Sequence, residues 1–271
     1  MKVPRSGNNG FGHLTSTGVF KGWQSLINED CGLMQIAFCD FDGTISKEDV
    51  TDLVLEKFAL QQWHDIEEKW ASGGINSAQC MRLQIPLIRA SIDELHRFLD
   101  SVEIDAGFVR FRDFCRANDV RLVVVSDGVD HFIRRILSNH GVTDIEVIAN
   151  HLVWNDDGDG AEFRLQTPFS KSGCLTASGV CKCAVIADCD QHIYIGDGRS
   201  DFCVSHQASA VFAKKKLAEY CDLNRIPYSP YQGFAEVQAS LASILPGRAG
   251  GPLPSHSQIT RKKRIHALKL E

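Results

Sequence analysis

The sequence predicts an α/β fold: a Rossmann-like parallel sheet with a helical cap inserted between the first two core strands. Three observations predict this fold. Short apolar runs, typical of strands buried on both faces, begin near residues 36, 120 and 192. Stretches with helical spacing separate these runs, which favours parallel strands joined by crossover helices. The helical block at residues 47–115 is too long for a simple crossover and indicates an inserted domain.

The first predicted strand covers residues 36–41 (IAFCDF) and ends in acidic side chains. The helical block follows, with apolar residues three and four positions apart at Val50, Leu53, Val54 and Phe58. Within it, the stretch Ser91-Ile-Asp-Glu94 fits a capping box that begins another helix. We expect no strand in this block.

The remaining predicted elements alternate between strands and helices. A second buried strand at 120–126 (VRLVVVS) leads into a helix that should stop at Gly141. The later predictions are strands at 145–149, 152–154, 192–196 and 210–213, a turn at 156–160, a small-residue loop at 170–180, and helices at 182–187 and 232–245.

These elements predict a division of the chain into core, cap and two flanking segments. The predicted parts are a disordered leader at 1–33, an α/β core at 34–46 and 116–245, a helical cap at 47–115, and a disordered basic tail at 246–271. The tail contains Arg261-Lys-Lys-Arg264, which favours a solvated segment, with contact to an acidic partner as the minor alternative. Met34 lies just before the first strand and is a second candidate start of translation.

Composition excludes several classes of function. The formal net charge of -5 gives no indication of nucleic-acid binding. No run of about 18 apolar residues exists, so we expect no membrane span. The first residues lack the order of a signal peptide, and we therefore expect a cytoplasmic protein.

The 10 cysteines are spread along the chain, and several lie inside apolar runs. Without an export signal, this distribution favours reduced thiols in the cytosol. The tightest group is Cys174, Cys181 and Cys183. Its C-x6-C-x-C spacing lacks the paired C-x2-C knuckles of structural zinc sites, so the sequence favours ordinary thiols over a metal site there.

Polar side chains follow three of the predicted buried strands. Asp40 and Asp42 end the first, Ser126 ends the second, and Asp197 with Asp201 follows the third. Ligands of open parallel sheets bind outside the carboxyl ends of the strands, so these groups should converge. Several carboxylates in one small volume need a cation to stay ionised. All-oxygen ligation suits Mg²⁺, which is the cofactor we predict.

This arrangement predicts transfer of a phosphoryl group. A carboxylate such as Asp40 can attack phosphorus and form an aspartyl phosphate. Asp42, two residues on, should point past Asp40 and serve as general acid and base. The two carboxylates need different environments for these two roles.

The phosphate also needs hydrogen-bond donors and positive charge. Ser126 supplies a hydroxyl at the end of the second strand. A lysine at a helix N-terminus would supply charge beside free N–H groups, and two lysines, Lys171 and Lys182, compete for this role. We favour Lys182, which begins a short apolar helix, over Lys171, which lies in a Ser/Gly loop.

Together these residues resemble the four motifs of the haloacid dehalogenase superfamily of phosphatases. The motifs are Asp40-Phe-Asp-Gly-Thr44, Ser126, Lys182 and Gly196-Asp-Gly-Arg-Ser-Asp201. The resemblance implies Asp40 as nucleophile and Asp42 as general acid/base. It implies Mg²⁺ ligation by Asp40, the backbone carbonyl of Asp42, and Asp197, with Asp201 supporting the metal. It also implies that Ser126, its neighbour Asp127, and Lys182 hold the phosphoryl group.

The helical cap resembles that of the phosphoserine-phosphatase-like branch of this superfamily. Three further stretches are similar to a narrower group that includes the methylthiopentenyl phosphate phosphatases of methionine salvage: residues 126–130, 179–183 and 212–221. Phosphoserine phosphatases carry a glutamate near the start of the cap. The corresponding position here is Asp49, beside Glu48, and we predict both as substrate-facing cap residues.

The predicted function is therefore Mg²⁺-dependent hydrolysis of a small phosphate ester, with a methylthiopentenyl phosphate as one candidate. Alternatives are a phosphatase for phosphoserine, phosphocholine or phosphoethanolamine, and a phosphotransferase or mutase with the same nucleophile. A catalytically silent ligand-binding protein is the alternative from another class. The intact acidic residues and Lys182 favour an enzyme, because buried charges are costly unless they serve a ligand.

Overall fold

The computed structural model of the protein describes residues 35–156, 161–174, 176–187 and 192–245. The predicted leader at 1–33 and the predicted basic tail at 246–271 lie outside the described residues. The turn predicted at 156–160 lies outside them as well, except for its first residue.

The described residues form one seven-stranded sheet in the order β4-β3-β2-β1-β5-β6-β7. Every neighbouring pair is parallel except β3 and β4, which are antiparallel. The strands are β1 (Gln35–Cys39), β2 (Val120–Val129), β3 (Glu146–Asp156), β4 (Ala161–Gln166), β5 (His192–Gly196), β6 (Ala210–Ala213) and β7 (Ser229–Pro230). The predicted fold class is confirmed.

Helices lie between the strands along the described chain. They are α1 (Val50–Phe58), α2 (Trp63–Ala71), α3 (Ser77–Gln84), α4 (Ile92–Leu99), α5 (Phe108–Ala117), α6 (Asp130–Asn139), α7 (Lys182–Val185), α8 (Phe202–Ser205), α9 (Lys215–Asn224) and α10 (Phe234–Ile244), with 3-10 turns at Ile85–Leu87 and Arg199–Asp201. Among the described residues, no helix is long and apolar enough to cross a membrane.

Strand β1 lies at the centre of two apolar layers. Ala37 and Cys39 belong to one buried cluster, while Ile36 and Phe38 belong to a second cluster on the opposite face. All four are fully buried. A strand covered on both faces needs apolar residues at every position, which explains the unbroken apolar run.

The register of the central strands brings their carboxyl ends together. Cys39 of β1 pairs with Val124 of β2 and with Ile195 of β5. The polar residues that follow these positions therefore lie at one edge of the sheet, as ligand sites of open parallel sheets do.

Helices α1 to α4 connect β1 to the region before β2 and contain no named strand. The capping box predicted at Ser91 is present, with Glu94 accepting from the Ser91 N–H. Helix α5 packs on α10 and on β2, which places it against the sheet. We therefore propose that the cap ends before Phe108, earlier than the predicted boundary at residue 115.

The structure differs from the predicted elements at one edge of the sheet. The two strands predicted at 145–149 and 152–154 are one continuous strand, β3. Strand β4 was not predicted, although its buried and exposed residues alternate strictly. The antiparallel pair has one face exposed, so its sequence lacks the apolar runs on which the prediction depended.

Candidate active site

Asp40 begins the site at the carboxyl end of β1. Its N–H donates to the carbonyl of Ile195 at 2.9 Å, which fixes the backbone against β5. Its Oδ1 accepts from the N–H of Phe41 at 2.8 Å and lies 2.8 Å from Nζ of Lys182. Burial and the charge of Asp201 raise the pKa of Asp40, while Lys182 opposes this shift. Asp40 is therefore an anion only as long as positive charge is close.

Lys182 supplies the buried positive charge of the site. It begins α7, its side chain is fully buried, and its Nζ lies 2.6 Å from Oδ1 of Asp201 as well as close to Asp40. Burial alone would lower the pKa of Lys182, but the adjacent carboxylates of Asp201 and Asp40 raise it above its ordinary value. The competing candidate Lys171 is exposed in its loop. The structure brings Lys182 to Asp40, and Lys171 remains on the surface.

Asp201 organises the loop that follows β5. It is fully buried, and its Oδ1 also accepts from the Tyr194 hydroxyl at 2.6 Å. Its Oδ2 accepts from the backbone N–H groups of Asp197 and Gly198, both at 3.0 Å. A Cβ at Gly196 would lie 2.5 Å from this oxygen, so this position requires glycine. Both oxygens of Asp201 thus serve to position Lys182 and the Asp197 backbone.

Asp197 faces Asp40 from the end of β5 and is 7% exposed. Its Oδ1 accepts from the Thr44 hydroxyl at 3.1 Å, and its Oδ2 lies 3.0 Å from Nζ of Lys215. Gly43 has φ of 68°, and a Cβ there would lie 2.4 Å from Oδ2 of Asp197. The close approach of these two chain segments therefore requires glycine at position 43.

Lys215 was not predicted as a site residue. It also donates to the carbonyl of Gly43 at 3.2 Å, which ties α9 to the loop after β1. The signal was available, because Lys215 follows a short apolar run at 210–213 as Asp197 follows β5. The same strand-end argument, applied to the fourth core strand, would have found it.

Asp42 lies apart from this cluster and faces β2. Its Oδ1 accepts from the Val50 N–H at 2.9 Å, and its Oδ2 accepts from the Ser126 hydroxyl at 3.3 Å. The Ser126 oxygen in turn accepts from the Gly128 N–H at 2.9 Å. Burial and the nearby charge of Asp49 raise the pKa of Asp42 well above its ordinary value. The two aspartates therefore have different surroundings, which two different roles require.

Asp127 has its carboxylate engaged by protein donors. Oδ1 accepts from the Val180 N–H at 3.0 Å, and Oδ2 accepts from the Ser77 hydroxyl of α3 at 3.0 Å. The amide of Asn150 also donates to Oδ1 at 3.3 Å. Because a carboxylate repels a phosphate, any contribution of Asp127 to phosphate binding would come from its backbone N–H.

The two predicted cap residues occupy different places. Asp49 lines the cavity, and as the N-cap of α1 it accepts from the Asp52 N–H at 3.1 Å. Glu48 is exposed, and it is not among the described residues that line the cavity. Its backbone carbonyl instead accepts from the Ser46 hydroxyl at 2.7 Å, which shapes the turn into the cap.

A cavity of about 780 Å³ lies between the sheet edge and the cap. Asp40 and Asp197 line this cavity, and they are contacted by the buried residues Lys182 and Asp201, which do not line it. We call these four residues the core floor. The cap wall is the part of the lining formed by Asp49, Asp52, Glu67, Trp70 and Met81. Arg199, two residues after Asp197 in the sequence, also lines the cavity, and its guanidinium lies 5.8 Å from the ring centre of Trp70 in the cap wall. The volume suits a small organic ligand.

The core floor fits a divalent cation. Oxygen atoms of Asp40, Asp197 and Asp201 lie within 4.8 Å of one another. The ion pairs found for these three carboxylates come from two lysines, Lys182 and Lys215. Three buried carboxylates against two ammonium groups leave negative charge uncompensated. A hard cation with oxygen ligands, such as Mg²⁺, would balance it.

A family model described as haloacid dehalogenase-like hydrolase matches residues 37–206. A 2-hydroxy-3-keto-5-methylthiopentenyl-1-phosphate phosphatase of Bacillus cereus (strain B4264) is 32% identical over 221 residues, which are 78% of this chain and 98% of the relative. A phosphatase of the same name from Exiguobacterium sp. (strain ATCC BAA-1283 / AT1b) is 29% identical over 213 residues, or 76% of this chain and 96% of the relative.

Two solved structures share the fold at low sequence identity. One is a phosphoserine phosphatase with a phospho-aspartyl intermediate analogue, which has a TM-score of 0.55 and 18% identity and covers 76% of this chain and 98% of its own. The other is a HAD family hydrolase from Salmonella enterica subsp. enterica serovar Typhi, with a TM-score of 0.58 and 16% sequence identity. The match covers 88% of this chain and 82% of that hydrolase. At these identities the likeness concerns the fold alone.

Proposed function

The chain belongs to the haloacid dehalogenase-like hydrolase family, and from this premise we propose a Mg²⁺-dependent phosphatase that acts on a small-metabolite phosphomonoester through an aspartyl-phosphate intermediate. The observation that carries the proposal is the 2.8 Å contact between Asp40, which lines the cavity between the sheet edge and the cap, and the buried ammonium of Lys182. The contact supports the proposal, because positive charge beside Asp40 favours its ionised form and would attract a phosphate group.

Asp40 acts as the nucleophile in this proposal. One carboxylate oxygen attacks phosphorus, a new O–P bond forms, and the bond from phosphorus to the leaving alcohol oxygen breaks. Lys182 stabilises the ionised form of Asp40 before the attack and the phosphoryl oxygens during it. Asp201 holds the Lys182 ammonium in place through the 2.6 Å contact.

Asp42 acts as the general acid and then as the general base. Its raised pKa allows it to hold a proton, which it donates to the leaving alcohol oxygen. The resulting carboxylate then takes a proton from the water that attacks the aspartyl phosphate. That step releases inorganic phosphate and restores both Asp40 and Asp42. The hydrogen bonds from Val50 and Ser126 keep the Asp42 carboxyl oriented during the cycle.

Asp40, Asp197 and the backbone carbonyl of Asp42 would hold Mg²⁺. When bound, the ion would neutralise one phosphate oxygen and orient the phosphoryl group for attack. Asp201 would support the site indirectly, because both of its oxygens already accept from protein donors. Lys215 and Thr44 orient the Asp197 carboxylate.

A methylthiopentenyl phosphate is the substrate we favour. Relatives at 29% and 32% identity, matched over nearly their whole length, are named as phosphatases of that compound. The cap wall suits such a substrate, because the carboxylates of Asp49 and Asp52 can accept from its hydroxyl. Trp70 and Met81 offer apolar surface beside them for a methylthio group.

An amino alcohol phosphate, such as phosphoethanolamine or phosphocholine, is the second candidate. The cap wall carries three carboxylates, at Asp49, Asp52 and Glu67. Burial and the charges of Asp49 and Glu67 raise the pKa of Asp52 to about 7. A cationic leaving group would relieve this repulsion. Phosphoserine fits less well, because Asp49 takes the position of the glutamate that phosphoserine phosphatases carry.

We propose a cytoplasmic location. The cysteines of the described residues are all free, which agrees with a reducing compartment. Small phosphate esters are the proposed ligands, and neither nucleic acid nor membrane is among the proposed partners.

Release of phosphate from p-nitrophenyl phosphate, with and without Mg²⁺, tests the proposal. We expect turnover only with the metal. A folded protein that releases no phosphate would contradict an enzymatic function and favour a silent binding protein. Added glycerol separates a phosphatase from a phosphotransferase, because a transferase would form glycerol phosphate in preference to inorganic phosphate.

A screen of phosphate esters then tests the substrate. It includes the methylthiopentenyl phosphate, phosphoethanolamine, phosphocholine, phosphoserine and pyridoxal phosphate, compared by kcat/KM. We expect the methylthiopentenyl phosphate to give the highest value. A higher value for both amino alcohol phosphates would replace it with the second candidate.

A further inference from the structure

Three cysteines on the segment that leads into α7 converge beside the active site. The Sγ atoms of Cys174, Cys181 and Cys183 lie within 4.8 Å of one another, and those of Cys181 and Cys183 are 3.5 Å apart. This cysteine cluster is separate from the carboxylates of the core floor. None of its thiols forms a disulfide.

Hydrogen bonds favour the thiolate at two of the three cysteines, while the hydrogen bond to Cys181, together with burial, raises the pKa of Cys183 to about 11. Hydrogen bonds from Thr176 and from the Ser178 backbone outweigh burial and lower the pKa of Cys174. The hydrogen bond from the Cys183 thiol, with a further one from the Ala184 backbone, lowers the pKa of Cys181. Donors directed at sulfur are what a thiolate ligand needs in its surroundings.

The distances fit one thiophilic cation. Zinc–sulfur bonds are about 2.3 Å long, so sulfur ligands of a tetrahedral ion are about 3.8 Å apart. The observed separations of 3.5 Å and up to 4.8 Å require only small side-chain movements to reach this value. Three sulfur ligands select Zn²⁺ or a similar soft or borderline ion over Mg²⁺.

We propose that Cys174, Cys181 and Cys183 form a thiolate site for a thiophilic cation of the Zn²⁺ class, with a fourth position open to water or a hydroxyl. Two described side chains lie close enough to be considered for that position: the Thr176 hydroxyl, 3.3 Å from the Cys174 sulfur, and the Cys203 thiol, which forms a hydrogen bond with the Cys183 thiol. Binding displaces one proton from each thiol, so affinity rises with pH.

A disulfide between Cys181 and Cys183 is the competing use of these thiols. It would join two of the three sulfurs and leave Cys174 without a partner. The sulfurs stand 3.5 Å apart, against about 2.05 Å in a disulfide. Cys174, seven residues earlier on the same connection, adds a third sulfur to the cluster, which favours a metal because a disulfide joins only two sulfurs.

The site has a structural consequence for the active site. Cys181 and Cys183 flank Lys182, whose ammonium contacts Asp40. An ion bound to both cysteines would link the loop at Cys174 to the first residues of α7. It would therefore restrict the backbone that presents Lys182 without contacting the substrate.

Metal content of the full-length protein tests the site independently of phosphatase activity. Protein purified under reducing conditions with Zn²⁺ present is dialysed and then analysed for zinc and free thiols. We expect about one zinc per chain, with three thiols protected from a thiol reagent. Substitution with Co²⁺ should give sulfur-to-cobalt charge-transfer absorption, which oxygen ligands at the core floor do not produce.

Matched variants complete the test. Cys174→Ser changes a half-buried loop residue and leaves every carboxylate of the core floor intact, so we expect it to fold and to show weaker charge-transfer absorption than the wild type. Zinc affinity should fall by at least about tenfold. Cys115→Ala, which alters a cysteine buried in α5, is the control and should keep one zinc.

Three outcomes would overturn the site: wild-type protein without zinc and with all thiols reactive, equal zinc content in Cys174→Ser, or a Cys181–Cys183 disulfide in peptides from non-reduced protein. The proposed phosphatase activity survives each of these outcomes, because it is measured separately with Mg²⁺. Loss of activity in a protein that retains zinc would instead contradict the proposed function alone.

Discussion

The core floor and the cap wall face each other across one cavity, but they differ in whether their carboxylates have cationic partners. On the core floor, Lys182 contacts two carboxylates and Lys215 contacts the third. The carboxylates of the cap wall have no such partners among the described lysines and arginines. Repulsion between them affects Asp52. Burial and the two neighbouring carboxylates raise the pKa of Asp52 to about 7.

This difference in charge pairing indicates that the two regions have different functions. Groups on the core floor are buried and held by several hydrogen bonds each, as required for residues that must keep one geometry through a reaction. Groups of the cap wall are open to the cavity and lack counter-charges, so a ligand can supply them. We infer that the core floor determines the chemistry and the cap wall determines the substrate.

Replacement of the proposed nucleophile should have the largest effect on kcat and should separate the core floor most clearly from the cap wall. Asp40→Asn keeps the size of the side chain but removes the negative charge that attacks phosphorus. We expect kcat with p-nitrophenyl phosphate to fall on the order of 10⁴-fold or more, with an unchanged circular dichroism spectrum. Asp52→Asn, a matched change on the cap wall, should keep kcat within about tenfold. Comparable losses in both variants would remove the distinction between the two regions.

Replacement of the buried lysine should affect stability as well as activity. Lys182→Met leaves Asp40 and Asp201 buried without a counter-charge, which costs about 3–5 kcal/mol of unfolding free energy. Urea unfolding at neutral pH measures this loss. Lys171→Met, a matched change at the exposed lysine of the 170–180 loop, should change stability by less than about 0.5 kcal/mol. Equal effects of both variants would mean that Lys182 does not balance the core floor.

Removal of the metal should reveal the charge excess of the core floor. Burial raises the pKa values of Asp40 and Asp42, so above about pH 4 the folded state binds more protons than the unfolded state. Stability in EDTA should therefore fall as the pH rises. Mg²⁺ at 100 times its Kd should restore about 2.7 kcal/mol.

Melting temperatures in EDTA and in Mg²⁺, measured from pH 5 to pH 8, test this prediction. The difference between the two conditions should widen with pH, because protons compete with the metal at low pH. Asp197→Asn should reduce the shift caused by Mg²⁺. A constant difference across the pH range would show that the metal does not balance these carboxylates.

Neutralisation of the cap wall should have the smallest and most selective effect. Glu67→Gln removes one carboxylate next to Asp52, which weakens the attraction for a cationic alcohol. We expect kcat/KM for phosphoethanolamine to fall about tenfold, which corresponds to about 1.4 kcal/mol. Activity on p-nitrophenyl phosphate should change less than about twofold. Glu68→Gln, on the exposed side of the same helix, is the control. Equal losses on both substrates would assign Glu67 a structural role.

The strand-end argument explains why so much of the site could be predicted. Asp40, Ser126 and Asp197 each follow an apolar run, and parallel strands place such positions at one edge. These three residues and Asp42 line one cavity, and the buried Lys182 contacts Asp40. Local sequence was sufficient here because a strand covered on both faces is apolar at every position, and such a run can be recognised from consecutive residues.

The search for apolar runs gave no prediction where the relevant residues are not consecutive in the sequence. Strand β4 has the alternation of a half-exposed strand, and the search for apolar runs passed over it. The three cysteines at 174, 181 and 183 were identified as a group but interpreted as ordinary thiols, because their spacing lacks the paired knuckles of structural zinc sites. Cys174 reaches the other two only through the path of the loop between β4 and α7.

The sequence by itself was sufficient to identify the chemical groups of the core floor, because each follows an apolar run or begins a helix that can be recognised within a short stretch of residues. Only the tertiary structure decided which partner each group meets. The contact of Lys215 with Asp197, the approach of Glu67 to Asp52, and the meeting of Cys174 with Cys183 join segments that no shared period connects. Such contacts depend on how helices and loops pack across the sheet edge, and that packing is a property of the whole chain.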